Sequence, residues 1–441
     1  MRTRILAAMM VILLVQTAAL GASKKPAPSS SVLSEKFLRG AMQGQSGITQ
    51  IFNDGSECLV VGAPYAQHKR ATGAVLVYRP SPQGFPPRPS LLLAGDGNLG
   101  WSLVSLGKME RDGKYYFAAG AFSGSGPEVS LAGTVTIFEA SQNPRQVRVL
   151  EGERAMDKFG YALASGDLNG DGAADLIVGA PYNSPTPALY QRGAVYVFFG
   201  PDYDPGQGYR IPASPTAGGI GFSLATGDIN GDGIDDLLMQ ASGKVICYYG
   251  VRGAFAPAPA SPDAVFSCAD AGFGRAIKVL WDLDGDGYKD IAMGADQATI
   301  DNVIDSGRLF ILRGGSGPRT VDVNVASIDR LAKIDGEPQG GRFGSVIQLI
   351  GDAQSGSAPD VAVSAVHADG VSWPMTGKIL LFSGLALTDG IDISSARSIP
   401  GEARDMHLGS FLAPVAGGRQ LAAGAPTEDA NTGKVRLFGL R

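Results

Sequence analysis

One pattern recurs seven times along this chain and narrows its folding options more than any other feature. A short apolar run ends in a small-residue break, a loop follows, and a glycine then leads into a strongly β-prone strand. The breaks are Gly62-Ala-Pro, Gly120-Ala-Phe, Gly179-Ala-Pro, Gln240-Ala-Ser, Gly294-Ala-Asp, Ser364-Ala-Val and Gly424-Ala-Pro, spaced 54 to 70 residues apart. The strands behind them are Gly73-Ala-Val-Leu-Val-Tyr, Gly133-Thr-Val-Thr-Ile-Phe, Gly193-Ala-Val-Tyr-Val-Phe, Gly243-Lys-Val-Ile-Cys-Tyr, Gly307-Arg-Leu-Phe-Ile-Leu, Gly377-Lys-Ile-Leu-Leu-Phe and Gly433-Lys-Val-Arg-Leu-Phe. Self-similarity at such a period marks a repeat architecture, in which a single unit cannot bury its own apolar surface and must stack on its neighbours.

Each unit holds four short strands. An apolar residue beside glycine opens one upstream of the break, as in Leu99-Gly-Trp-Ser, Phe159-Gly-Tyr-Ala, Phe273-Gly-Arg-Ala, Phe343-Gly-Ser-Val and Leu408-Gly-Ser-Phe; another lies between units, as in Leu91-Leu-Leu and Arg148-Val-Leu. With 62 glycines, 27 prolines and only 18% charged residues, the composition favours strands and turns over helices. Four antiparallel strands repeated radially make the blades of a β-propeller. The expected fold is therefore all-β: a seven-bladed propeller of four-stranded antiparallel blades over residues 31–441. The last unit stops after its third strand, so the segment Ser31-Val-Leu-Ser-Glu-Lys-Phe-Leu38 is expected to supply the fourth and cover an open edge.

Three of the units carry an aspartate ladder between their first and second strands. Its ligand positions 1, 3, 5, 7 and 9 are Asp167, Asn169, Asp171, Ala173 and Asp175; then Asp228, Asn230, Asp232, Ile234 and Asp236; then Asp282, Asp284, Asp286, Tyr288 and Asp290. Side-chain oxygens at 1, 3, 5 and 9 with a backbone carbonyl at 7 suit a hard cation that takes six to eight oxygens, which points to Ca2+, about three ions. At position 7 only the carbonyl is used, which would leave the side chain free to vary. An EF-hand would need a bidentate acid at position 12 inside a helix, whereas here position 12 is Val178, Met239 or Met293 within a short apolar strand. A merely solvated acidic turn is disfavoured, because like charges about 4 Å apart repel by about 4 kcal/mol at a dielectric near 20.

The run from Phe159-Gly through Asp167 to Asp175 and on to Gly179-Ala-Pro181 resembles the FG-GAP repeat of integrin alpha-subunit propellers and of bacterial secreted proteins. The resemblance extends over essentially the whole chain after its first thirty residues. Blade 6 departs from it, keeping Asp352 and Asp360 but placing Gln354 and Gly356 where acids belong, and blades 1, 2 and 7 show no ladder. Calcium is accordingly expected in blades 3, 4 and 5 alone.

The resemblance also implies which face does what. In propellers of this family the ladders occupy one face and the loops between second and third strands the other, so calcium is expected to be mainly structural. A protein or glycan partner would then meet the loops at 64–72, 122–132, 181–192, 296–306, 366–376 and 426–432, where Tyr182, Tyr190 and Trp373 are aromatic candidates for contact. Blade 4 keeps only Ser242 before Gly243, which leaves a gap in that rim. The implied role is an exported, adhesion-type binding module. The alternative is an enzyme, or the propeller accompanying one, acting on an exported polysaccharide or lipid. The sequence shows no Gly-x-Ser-x-Gly elbow and no His-Glu-x-x-His, and its three histidines, His68, His367 and His407, are scattered.

The first 22 residues read as a signal peptide: Arg2 and Arg4, an eleven-residue apolar core at 5–15, then small residues at 18–22. Residues 23–30 form a Pro/Ser-rich lead-in. The expected product is secreted, cell-surface or periplasmic, with no transmembrane segment in the mature chain. No basic tract points to nucleic acid. Cys247 and Cys268 fall on successive predicted strands, where an oxidising compartment would permit a disulfide, and Cys58 sits in the apolar run Cys58-Leu-Val-Val61.

Overall fold

In the computed structural model, residues 30–33, 42–68, 71–184, 191–213, 218–253, 255–258, 261–325, 329–351, 359–370, 372–384, 387, 391–428 and 432–440 are described. Seven sheets form seven blades. Blade 3 shows the plan: Leu163–Gly166, Asp175–Ala180, Ala194–Phe198 and Tyr209–Pro212 pair in sequence order, each antiparallel to the last. The first strand of every blade packs against the first strand of the next, and that of blade 7 (Leu412–Val415) returns to that of blade 1 (Gly47–Ile51), closing the ring. No helix among the described residues is long and apolar enough to cross a membrane.

The burial pattern follows from the ring. Second and third strands are covered on both faces by neighbouring blades, so Asp175–Ala180 and Ala194–Phe198 are buried at every residue. That is why they read as unbroken apolar runs rather than as alternating patterns. The outer strand Arg145–Glu151 of blade 2 is mostly exposed or half-buried. Each core lies between two blades: Leu106, Ala118, Val135 and Ile137 of blade 2 pack with Leu176, Val178, Tyr196 and Phe198 of blade 3.

Paired glycines hold the inner strands this close. A Cβ added to Gly62 would lie 1.8 Å from the carbonyl oxygen of Gly100 in the next blade; Gly120 would meet Gly160 O at 2.2 Å, Gly179 would meet Gly221 O at 2.2 Å, Gly294 would meet Gly344 O at 2.0 Å, and Gly424 would meet Gly44 O at 2.0 Å. The glycine of each small-residue break thus faces the glycine that opens the following blade, at a separation no side chain tolerates. Blades 4 and 6 solve the same contact differently. Gln240 donates from Nε2 to Phe273 O at 2.9 Å, and Ser364 meets Gly409, whose own lack of a side chain makes the room.

Ser30–Leu33 pairs antiparallel with the third strand of blade 7, Lys434–Gly439, with Ser30 opposite Phe438 and Leu33 opposite Val435. This is the expected closing strand; the rest of the segment assigned to it, 34–38, lies outside the described residues, as do residues 1–29 with the signal peptide and nearly all of the lead-in.

Two features differ from the sequence expectations, and a third concerns a cysteine pairing that the sequence left open. The strands of blade 1 continue beyond the break at Gly62 as a hairpin, Glu57–His68 against Ala71–Tyr78, so the expected loop at 64–72 is largely strand. Blade 4 gains a fifth strand: Arg319–Asp322, from the connection between the third and fourth strands of blade 5, lies parallel to Ala264–Ser267. It is anchored by Arg319, which donates to the carbonyls of Gly314 and Arg313 and covers the Phe266 ring at 5.2 Å. Finally, Cys247 and Cys268 are both free thiols. Cys247 stands opposite Ala264, whereas Cys268 lies beyond Ser267, which pairs with Lys244, so the two are separated along the strands.

Candidate functional site

The three ladders share one local geometry. In each, the position-1 carboxylate turns inward and accepts backbone N–H groups from the loop it begins: Asp167 from Asp171 and Gly172, Asp228 from Gly231, Asp232 and Gly233, and Asp282 from Gly285, Asp286 and Gly287. The position-9 carboxylate is fully buried in all three loops. It is fixed by the amide of the residue after position 1 and by a glycine leaving the third strand: Leu168 and Gly200 for Asp175, Ile229 and Gly250 for Asp236, Leu283 and Gly314 for Asp290. Burial pushes the carboxyls of Asp175, Asp236 and Asp290 up to about 7; the neighbouring ladder aspartates add to the rise and the backbone amides oppose it.

Oxygens converge most closely in blade 5, where ligand atoms of Asp282, Asp284 and Asp290 all lie within 4.8 Å of one another. Arg313 Nε approaches the same cluster, 2.6 Å from Asp284 Oδ2. The donor set is all oxygen, the loop is already wrapped, and the innermost carboxylate is held out of water at an energetic cost. These residues fit a hard divalent cation. In blade 6, Asp360 occupies the position-9 place and accepts from Gly384 N at 3.2 Å, while positions 352–356 lie outside the described residues.

The ladders are also fastened to the following blade. The carbonyls of Asp167, Leu168 and Asn169 accept from the amides of Asp235, Val251 and Gly253, and Ile229 O accepts from Gly315 N. Two of the position-7 side chains, expected to be free to vary, also pack between blades. Ile234, 6% exposed, packs over Gly170 of the preceding ladder, and the Tyr288 ring lies over Gly231, each near 3.1–3.2 Å from where a Cβ would stand.

Because the strands alternate in direction, loops joining first to second strands and loops joining second to third strands emerge at opposite ends of a blade. The opposite face from the ladders bears a continuous run of rings across blades 2, 3 and 4. Trp101 contacts Phe122 (4.7 Å between centroids) and Tyr161 (5.3 Å), Tyr161 contacts Phe222 (5.5 Å), and Phe222 contacts Tyr182 (5.7 Å). Lys158 Nζ sits 4.4 Å above the Phe122 ring. Trp101 and Phe222 also line the mouth of the central channel, a cavity of about 310 Å³ shared with Gln45, Ser46, Leu163 and Phe411.

Of the three aromatic candidates from the sequence, Tyr182 belongs to this arc and is 38% exposed; Trp373 is 49% exposed on blade 6, away from it. Tyr190 lies outside the described residues. Trp101, Phe122, Tyr161 and Phe222 were missed, although a signal was present: the residue after the blade-opening glycine is aromatic in three successive units, Trp101, Tyr161 and Phe222. Blade 4 makes its second turn with Ser242 and Gly243 alone, both at positive φ, which leaves the rim low beside Phe222.

Comparison with known families matches the FG-GAP repeat at residues 159–198, 220–246 and 273–312. These three units are similar to the FG-GAP repeat. The matched FG-GAP units are the three that hold complete ladders. Integrin alpha-7 of Rattus norvegicus is 32% identical over 304 residues, covering 60% of this chain and 25% of that protein. Integrin alpha-7 of Mus musculus is 35% identical over 221 residues (46% and 18%), and integrin alpha-IIb of Mus musculus 29% over 303 residues (60% and 28%). The chain thus spans between 18% and 28% of the length of these relatives. The two halves of the repeat name describe the interblade contact above: the glycine of FG in one blade faces the glycine of GAP in the blade before it.

Proposed function

We propose that this FG-GAP protein is an exported, adhesion-type binding propeller, with calcium in blades 3, 4 and 5 serving structure and a protein or glycan ligand bound on the opposite face. The observation that carries the reading is the aromatic arc from Trp101 to Tyr182, a contiguous set of partly exposed rings on the face away from the ladders. Large rings with few rotatable bonds provide contact area at low entropic cost and recur as binding hot spots. The similarity to integrin alpha subunits supports binding rather than catalysis.

Asp167, Asn169, Asp171, Asp175 and the carbonyl of Ala173 would hold one calcium ion. Asp228, Asn230, Asp232, Asp236 and the carbonyl of Ile234 would hold a second, and Asp282, Asp284, Asp286, Asp290 and the carbonyl of Tyr288 a third. Each ion would neutralise a carboxylate cluster that also clasps the next blade.

The test is a screen of the purified protein on glycan and extracellular-protein arrays in millimolar calcium. Hits are expected to weaken at least tenfold in the Trp101→Ala/Phe222→Ala variant, which corresponds to about 1.4 kcal/mol per decade. Binding that survives this variant but is lost on Asp282→Asn would move the ligand to the ladder face and overturn the assignment.

A further inference from the structure

Two of the three histidines, far apart in sequence, meet on the face of the aromatic arc at the junction of blades 6 and 7. His367 follows the Ser364-Ala-Val break of blade 6, and His407 precedes the Leu408-Gly409 that opens blade 7. The contact between break and opening glycine that builds every interblade junction brings these two positions together here. The ring centroids are 5.0 Å apart and the planes are inclined at 61°. Both residues are half-buried.

The tautomer of His407 follows from its hydrogen bonds. Thr427 donates its single hydroxyl proton to the carbonyl of Asp405, so its oxygen must act as acceptor toward His407 Nδ1, 2.6 Å away. Nδ1 therefore carries the proton, and Nε2 keeps a free lone pair. A left-handed backbone at His407 (φ 49°) sets the direction of the side chain. The His367 ring makes no hydrogen bond among the described residues, its amide being held by Gly341 O at 3.0 Å. Arg342 is paired with Asp305, 2.8 Å from its Nη2.

We propose that His367 and His407 form a two-imidazole site for a borderline divalent cation, Zn2+ or Cu2+, between blades 6 and 7. Metal–nitrogen bonds of about 2.0–2.1 Å at a near-tetrahedral angle place two imidazole centroids about 5 Å apart, the separation observed. The Thr427 hydroxyl on His407 Nδ1 is the outer contact that a metal-binding histidine ordinarily has, fixing its tautomer and orientation. Imidazole nitrogen selects this class of ion, whereas the ladders offer only oxygen and suit calcium. With two protein ligands the remaining coordination positions stay open to water or to a side chain from a docked partner. The site stands whether or not the aromatic arc is the docking surface.

Untagged protein, with calcium saturating the ladders, is titrated with Cu2+ and Zn2+. One Cu2+ per chain is expected, with two-nitrogen hyperfine structure in its EPR spectrum, and Zn2+ is expected to raise the melting temperature. His367→Asn and His407→Asn should each remove the two-nitrogen signal, His68→Asn should leave it intact, and Thr427→Val should weaken binding about tenfold while both imidazoles remain. A Cu2+ spectrum with one nitrogen or none in the unaltered protein, or one unchanged in both histidine variants, would overturn the site. If either variant fails to fold, Thr427→Val and the unaltered protein still decide the matter.

Discussion

Residues whose defining property is the absence of a side chain dominate the interblade geometry. Gly62 faces the Gly100 carbonyl so closely that a methyl group would penetrate it, 1.8 Å from the oxygen; Ser46 Oγ, 2.3 Å away, could rotate aside, but the Gly100 backbone could not. Gly62→Ala is expected to destabilise the protein by about 1–3 kcal/mol or more, the cost of overpacking a close-packed interior. Gly439→Ala is the matched control, since nothing lies within 4 Å of its would-be Cβ and its φ is not positive; it should leave the urea midpoint nearly unchanged. Equal midpoints for the two variants would contradict the glycine-contact account. At this scale the sequence was legible where composition repeated, as in the Gly-Ala-Pro breaks. It was opaque where contacts pair residues from different units: the facing partners Gly100 and Gly160 could be named as strand openers, but only packing shows what they face.

The ladders are the elements whose energetics depend on the solution. Without a cation, Asp175, Asp236 and Asp290 have carboxyl groups raised from an ordinary value of 3.8 to about 7. A raised folded-state value means that the folded protein holds more protons than the unfolded chain across that window. The associated stability is fully present below about pH 4 and is lost as pH rises through 7. In chelator, the contribution of these groups should therefore decline between pH 4 and pH 7, while the stabilisation conferred by added calcium should grow over the same interval. Calorimetry at several pH values, with and without calcium, measures both, and an Asp175→Asn/Asp236→Asn/Asp290→Asn variant should flatten both trends. A calcium effect independent of pH in this range would sink the account. If calcium binds with a dissociation constant near 0.1 mM, a millimolar concentration would stabilise by about 1.4 kcal/mol per site. The spacing of the oxygen-bearing residues in these loops was readable residue by residue; the packing of Ile234 and Tyr288 over the preceding ladder was not, because it joins neighbouring blades.

For the whole molecule, closure is the decisive event. Six blades take all four strands from one continuous stretch each, but blade 7 borrows Ser30–Leu33 from the other end of the described chain. Removing this strand leaves the edge of Lys434–Gly439 unpaired and separates the two ends of the ring. Deletion of residues 30–40 is expected to lower the melting temperature by several degrees, since each 1 kcal/mol lost shifts a domain of about 400 residues by about 1 °C and opening the ring removes several. An unchanged transition would show that the ring does not depend on the strand. The fifth strand of blade 4 is the complementary case: Arg319–Asp322 lies parallel to its neighbour and breaks the repeat rule, so no periodicity announced it.

What the sequence determined by itself is what each unit does within its own span: seven repeats, four strands in each, the turn chemistry of the ladders and the order of the blades. These rest on interactions a few residues long, and their signals recur. The tertiary structure alone decided what meets across the ring: the glycine pairs, the arc of Trp101, Phe122, Tyr161, Phe222 and Tyr182, the His367–His407 junction and the separation of Cys247 from Cys268. Each of these joins residues from different strands or blades, and their spacing is set by how the blades rotate about a common axis. Local chain chemistry does not encode that rotation, because it emerges only when all seven blades bury their faces against one another at once.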